Sequence, residues 1–203
     1  VLNYYSRKIE KSDTLNKLNL EPGQYIVISA HREENVDSEI NFKNLLESAN
    51  AISKKYGKTI NFSTHPRTRK NLENLENIKL NTTIRFLKTL GFLDYVNLQM
   101  NAFCVVSDSG TITEESSILD FPAVTIRQAH ERPEGMDEGT LIMCGLKSDR
   151  VIESIDVVTK HFSEKPRQFK MVKDYDTDNV SKKVIRIIMS YTDYVNRTVW
   201  HKV

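Results

Sequence analysis

Short β-branched runs alternate along this chain with stretches of helical period, and that alternation constrains the fold more than any other feature. The runs fall at residues 25–29, 59–63, 83–87, 103–107, 123–126 and 140–144. Each has the length and composition of a strand buried on both faces. Between several of them apolar residues return every three or four positions. The clearest case is Phe42, Leu45, Leu46, Ala49, Ile52 and Tyr56, with Asp37 or Ser38 as the N-cap. Shorter helices are expected at 66–75, 93–101 and 112–119, then one at 148–162. A long tail helix follows from Asp178, striped by Val180, Val184, Ile187, Ile188, Tyr191, Val195 and Val199. Wholly apolar strands separated by helices specify a parallel sheet covered on both faces. The expected fold is therefore α/β, a single doubly wound parallel sheet, with 163–177 as its one long irregular connection.

Composition narrows the function classes. Across 203 residues, 29 Lys and Arg balance 27 Asp and Glu for a net charge of +2. That balance supplies no field for holding nucleic acid non-specifically. No apolar run approaches the roughly 18 residues of a membrane span, and the N-terminus lacks the pattern of a signal peptide. Cys104 and Cys144 lie in apolar runs and read as buried thiols of a cytoplasmic protein, neither a disulfide framework nor a metal site. No ligand cluster has metal spacing, so neither a metal nor a redox cofactor is implied. The chain opens at Val1 inside what reads as an amphipathic helix, the expectation for a piece of a longer protein.

In a doubly wound sheet, ligands bind beyond the carboxyl ends of the strands. Those ends here carry Ser29, His31 and Arg32; Ser63, Thr64 and His65; Ser107, Asp108, Ser109 and Gly110; and Arg127, Gln128 and His130. At the fourth strand, Thr111 and Glu114 have capping-box spacing, which puts a helix N-terminus at Thr111. Its free N–H groups and positive dipole end favour an anion such as phosphate. Gly110 allows close approach to the backbone, Ser109 adds a hydroxyl, and Glu115 is placed for a ribose diol. The plainer alternative is a simple cap with a solvated acidic face. His31 and Arg32 either face a phosphate or sit on a solvated loop. The segment from Arg127 to Gly139 is dense in charge. Arg132 there has the fork geometry for a diphosphate, with Glu131 to fix it, or the segment is a surface loop of self-paired charges. His65 and Arg67, beside Pro66, read as a helix start with exposed basic residues. Tyr95 either packs or flanks a base, and Tyr194 and Trp200 pack on the tail helix.

Four stretches, SAHREEN, GFLDYVNLQMNA, SDSGTITEESSIL and HERPEGMDEGT, together resemble the C-terminal half of the non-hydrolysing UDP-N-acetylglucosamine 2-epimerases. The similarity runs through the whole chain, residues 1–203. It implies one Rossmann-like half of a GT-B-like two-domain enzyme: a C-terminal UDP-binding domain whose N-terminal catalytic half is absent from this chain. Carried over by motif, His31 lies by the diphosphate and the reacting sugar and is needed for activity. Ser109, Gly110 and Thr111 bind the diphosphate, Glu115 the ribose, and Arg132 phosphate with Glu131 beside it. Tyr95 and the backbone around Leu90 lie near the uracil. The family eliminates UDP to leave a 2-acetamidoglycal, then adds it back with C2 inverted, using carboxylates of the missing half. The resemblance implies a UDP-sugar substrate, a homodimer when full length and no cofactor. Two departures stand out: Thr111 replaces a second glycine, and Glu33 replaces a second basic residue. Both resemble the capsule and O-antigen branch that forms UDP-N-acetyl-L-fucosamine from UDP-2-acetamido-2,6-dideoxy-L-talose. Rival readings are a UDP-GlcNAc/UDP-ManNAc 2-epimerase, the donor half of a GT-B glycosyltransferase, and a nucleotide-sugar sensor without chemistry.

Overall fold

Strands β1 (Tyr25–Ser29), β2 (Thr59–Ser63), β3 (Ile84–Leu87), β4 (Cys104–Ser107), β5 (Ala123–Thr125) and β6 (Ile142–Met143) form one sheet in the computed structural model of the chain. Every pairing is parallel, in the order β3-β2-β1-β4-β5-β6. The structure describes residues 1–64, 68, 71–72, 79–129, 132–165 and 167–202. Helices among these are α1 (Leu2–Glu10), α2 (Thr14–Leu18), α3 (Glu33–Val36), α4 (Glu39–Tyr56), α5 (Phe92–Met100), α6 (Ile112–Leu119), α7 (Glu134–Asp137), α8 (Ser148–Glu164) and α9 (Val180–Thr198). The chain divides into two compact units, Val1–Val172 and Lys173–Val203.

Alternation along the strands sorts the core into two layers. Ile26, Ile28, Ile60, Phe62, Val106 and Val124 turn to one face, where Leu45, Leu46 and Ile52 of α4 and Val151 and Ile155 of α8 cover them. Tyr25, Val27, Val105 and Ala123 turn to the other, beneath Leu98 of α5 and Ile112 of α6. All five residues of β1 are buried, which is why its sequence is apolar throughout. The α/β doubly wound parallel sheet expected from the alternation is the observed fold. Strand order reverses between β1 and β4, the switch point at which loops on opposite sides part and leave a crevice. Register aligns Ser63, Ser29, Ser107 and Thr125 across the sheet, so the strand ends form one row facing that crevice.

Several boundaries match the sequence patterns, and the departures have local causes. Ser38 caps α4, its hydroxyl accepting from the Asn41 N–H at 3.4 Å, and Gly57 ends it at a φ of 61°. The last strand shrinks from 140–144 to two residues. The Thr140 N–H and hydroxyl both donate to the Gly135 carbonyl, which holds residue 140 in the preceding turn. Helices α2, α3 and α7 are too short to show a 3.6-residue period and gave no signal. The helix expected at 66–75 falls largely outside the described residues. Cys104 is fully buried and Cys144 partly so, both unpaired. Burial pushes both thiols up, Cys144 to about 12, so both stay protonated near neutral pH. In the Lys173–Val203 unit, α9 buries none of its residues, and its stripe leaves Val184, Ile187, Ile188 and Tyr191 exposed. No helix among the described residues is long and apolar enough to cross a membrane.

Phe62 is fully buried and meets Phe86 at 5.4 Å between ring centroids. Phe62→Ala should lower unfolding free energy by about 3–5 kcal/mol in urea titrations. A change below about 1 kcal/mol would contradict the packing described.

Candidate functional site

The crevice beyond β1 and β4 is organised by one carboxylate. Asp108 follows β4 directly and is fully buried. It accepts the His31 N–H at 3.1 Å, the Arg32 N–H at 2.9 Å and the Asn35 side-chain amide at 3.0 Å. His31 Nδ1 stands 3.5 Å from its other oxygen, with the imidazole half exposed to the crevice. The Asp108 N–H in turn donates to the Ser29 carbonyl at 3.1 Å. A buried carboxylate is tolerated because N–H donors replace its water. Here that requirement fixes the loop after β1 to the end of β4 and aims His31 across the switch point.

The turn from β4 into α6 is tight. The Ser109 N–H donates to the Ser107 hydroxyl at 3.1 Å, and the hydroxyls of Ser109 and Thr111 meet at 3.0 Å. The expected capping box does not form. Thr111 is the N-cap, but its backbone is already helical at φ −69°, ψ −16°, and its side chain caps nothing. A cap side chain reaches the first-turn amides from an extended backbone, which Thr111 lacks. Glu114 pairs instead with Arg132, Oε1 to Nε at 3.0 Å. That pairing seats the guanidinium over Gly110: a Cβ there would collide with Arg132 Nη1 and lie 3.7 Å from Arg127 Nη1. Any side chain at residue 110 would push the guanidinium off this seat. Two guanidinium groups thus flank the N-terminus of α6, and their charge adds to the helix dipole.

Burial raises the Glu114 carboxyl above its ordinary value, and the negative charges of Glu115 and Glu134 add to this. Arg132 pulls the other way without winning. Glu115 turns towards α5, where its Oε2 accepts from the Gln99 side-chain amide at 2.8 Å. Tyr95 lies on the same helix, its hydroxyl pushed up to about 12 by burial despite a hydrogen bond to Ser29, with Glu115 and Asp108 adding to the shift. Leu90, in the loop after β3, packs with Tyr95 against the same core layer.

The structure thus gathers His31, Ser109, Gly110, Thr111, Glu115 and Arg132 around the ends of β1 and β4, with Tyr95 beside Glu115. Glu131, His130, His65, Pro66 and Arg67 lie outside the described residues. Among the described residues of the charged segment after β5, Arg127 is buried, and Gly135 is packed so closely on Thr113 that a Cβ would strike it. Asp108, Asn35, Arg127 and Gln99 were given no role from sequence. For Asp108 a signal existed, an acid directly after a wholly apolar strand at a switch point. For Gln99 none did, since its partner is fixed by tertiary packing. An apolar cavity of about 260 Å³ beneath Phe121, Leu141, Phe162 and Phe169 contains none of these groups. Among the described residues no cluster of three or more His, Cys, Asp or Glu is placed to hold a metal ion.

Known proteins match the chain along nearly its whole length. The family model described as UDP-N-acetylglucosamine 2-epimerase matches residues 1–189. A UDP-N-acetylglucosamine 2-epimerase of Methanocaldococcus jannaschii is 35% identical over 137 residues, 66% of this chain and 37% of that protein. The structure of UDP-N-acetylglucosamine 2-epimerase from Rickettsia bellii superposes with a TM-score of 0.85 at 52% identity, covering 99% of this chain and 53% of that one. The M. jannaschii enzyme in complex with UDP-GlcNAc and UDP gives a TM-score of 0.77 at 30% identity, over 91% of this chain and 50% of that one. The chain therefore spans about half the length of the solved structures it matches, and less of the curated relative.

Asp108→Ala strands three buried or half-buried donors and should cost about 3 kcal/mol of stability in chemical denaturation, and Asp108→Asn less. Equal stability of wild type and Asp108→Ala would remove its organising role. Because the raised Glu114 binds more protons folded than unfolded, stability should fall as pH rises through the range just above the ordinary carboxylate value. Glu114→Gln should flatten that slope in melting curves recorded across pH; an unchanged slope would contradict it.

Proposed function

The chain belongs to the UDP-N-acetylglucosamine 2-epimerase family, and on that premise we propose that it is the UDP-binding half of a nucleotide-sugar C2-epimerase. The observation that carries this reading is the Arg132 guanidinium seated over Gly110 where β4 enters α6. A pyrophosphate placed there meets helix-terminal amides, the hydroxyls of Ser109 and Thr111, and a planar cation suited to two phosphate oxygens. Glu131 is assigned beside Arg132. Glu115 takes the ribose hydroxyls, and Tyr95 with the backbone near Leu90 flanks the uracil.

The chemistry follows from charge. Elimination removes the C2 proton, breaks the bond from C1 to the diphosphate oxygen and leaves a 2-acetamidoglycal with free UDP. Negative charge grows on the departing oxygen, and preorganised dipoles and cations that need no rearrangement lower that barrier most. His31, held by Asp108 at the crevice, faces the same oxygen and serves as its proton or hydrogen-bond donor. Re-addition delivers a proton to the opposite face of C2 as the diphosphate oxygen re-forms its bond to C1, which returns the epimer. The carboxylates that move the C2 proton are assigned to an N-terminal half, and the exposed stripe of α9 is the surface offered to it. The full enzyme is assigned to the cytoplasm, as a homodimer.

For the sugar, Thr111 and Glu33 support UDP-N-acetyl-L-fucosamine formation for capsule or O-antigen synthesis. The second reading is a UDP-GlcNAc/UDP-ManNAc 2-epimerase, and the UDP-N-acetylglucosamine 2-epimerases of M. jannaschii and R. bellii favour it by name.

In calorimetric titrations UDP should bind the chain, and Arg132→Ala and Ser109→Ala should each weaken it by about 1–3 kcal/mol. Unchanged affinity in both variants would sink the assignment. The chain alone should release no glycal from a UDP-sugar, whereas its complex with an N-terminal half should. Turnover of UDP-GlcNAc against the 6-deoxy-L-talose donor, followed by NMR, decides the sugar.

A further inference from the structure

Gln99 is 1% exposed on the last turn of α5, a buried amide beside Leu98 and the second buried amide of that helix after Asn97. Its Nε2 donates to Glu115 Oε2 at 2.8 Å, while its Oε1 is buried with no partner among the described residues. A buried amide oxygen left unpaired opposes folding. For stability alone, a leucine or methionine serves better at this position. What the amide supplies is a fixed donor to one oxygen of a partly exposed carboxylate. The bond holds one oxygen of Glu115 and leaves Oε1, with the remaining lone pair of Oε2, as two adjacent acceptors. Two adjacent acceptors are the complement of a vicinal diol, not of an isolated hydroxyl. Tyr95 stands four residues earlier, so one face of α5 carries both the assigned base contact and the support for the assigned ribose contact.

We infer that Gln99 is a positioning residue that makes the site selective for ribonucleotides over 2′-deoxyribonucleotides by fixing the Glu115 carboxylate. This rests on the nucleotide reading above, and the readout separates the two.

The test compares UDP with 2′-deoxy-UDP by calorimetry in wild type, Gln99→Met and Gln99→Leu, with melting temperatures alongside. Wild type should prefer UDP by about 10-fold, the scale of one hydrogen bond to a charged acceptor. Both variants should bring the ratio to within about 2-fold, through weaker UDP binding with 2′-deoxy-UDP nearly unchanged, at equal or higher melting temperature. In a Glu115→Ala background, Gln99→Met should leave the ratio unchanged. A wild-type ratio retained in the variants overturns the inference and leaves the nucleotide reading standing. So does a fall in melting temperature with both ligands weakened equally, the mark of a structural role. Failure of wild type to bind either nucleotide overturns both.

Discussion

Three donors converge on the carboxylate of Asp108, and the crevice takes its shape from that convergence. The residue is buried where the strand order reverses, so it faces a loop from each half of the sheet. A buried carboxyl group in that position is tolerable only if N–H groups replace its water, and those of His31, Arg32 and Asn35 do so. The consequence is geometric. The loop after β1 cannot move independently of the turn after β4, and His31 is held within reach of whatever occupies that turn.

A second pairing sets how the site meets an anion. Arg132 is oriented over Gly110 by Glu114, a carboxylate already raised by burial and by its acidic neighbours. The pair preorganises the guanidinium without sealing it, since both side chains remain about one-third exposed. In the proposed function a diphosphate shares the arginine with Glu114 or takes it over. The raised carboxyl makes that exchange easier than it would be for a strongly ionised partner. The same economy of placement operates at Glu115, which Gln99 holds from the neighbouring helix.

The fold was legible because its signal is redundant. Continuous apolar burial along β1 and the period of α4 each specify their element alone, and together they specify a parallel sheet with two covered faces. The site was legible in part. Ser107 to Glu115 reads as strand, turn and helix from local chemistry, and α6 begins and ends where the sequence placed it. The capping box was misread because spacing alone does not say whether Glu114 turns back to the helix or out to Arg132; a guanidinium 18 positions along the chain decides it. Asp108 and Gln99 show the same gap. Their partners lie 77 and 16 residues away, and no local pattern encodes which donors will face them.

The central claim is that the turn joining β4 to α6 holds a uridine-linked pyrophosphate. It is tested most directly by amide NMR of the labelled chain titrated with UDP and, separately, with uridine. The account predicts that UDP shifts the backbone amides of Ser109 to Thr113 together with the Arg132 side chain, and that uridine, lacking the phosphates, leaves them in place. UDP-induced shifts confined to other parts of the sheet, with that turn silent, would contradict it.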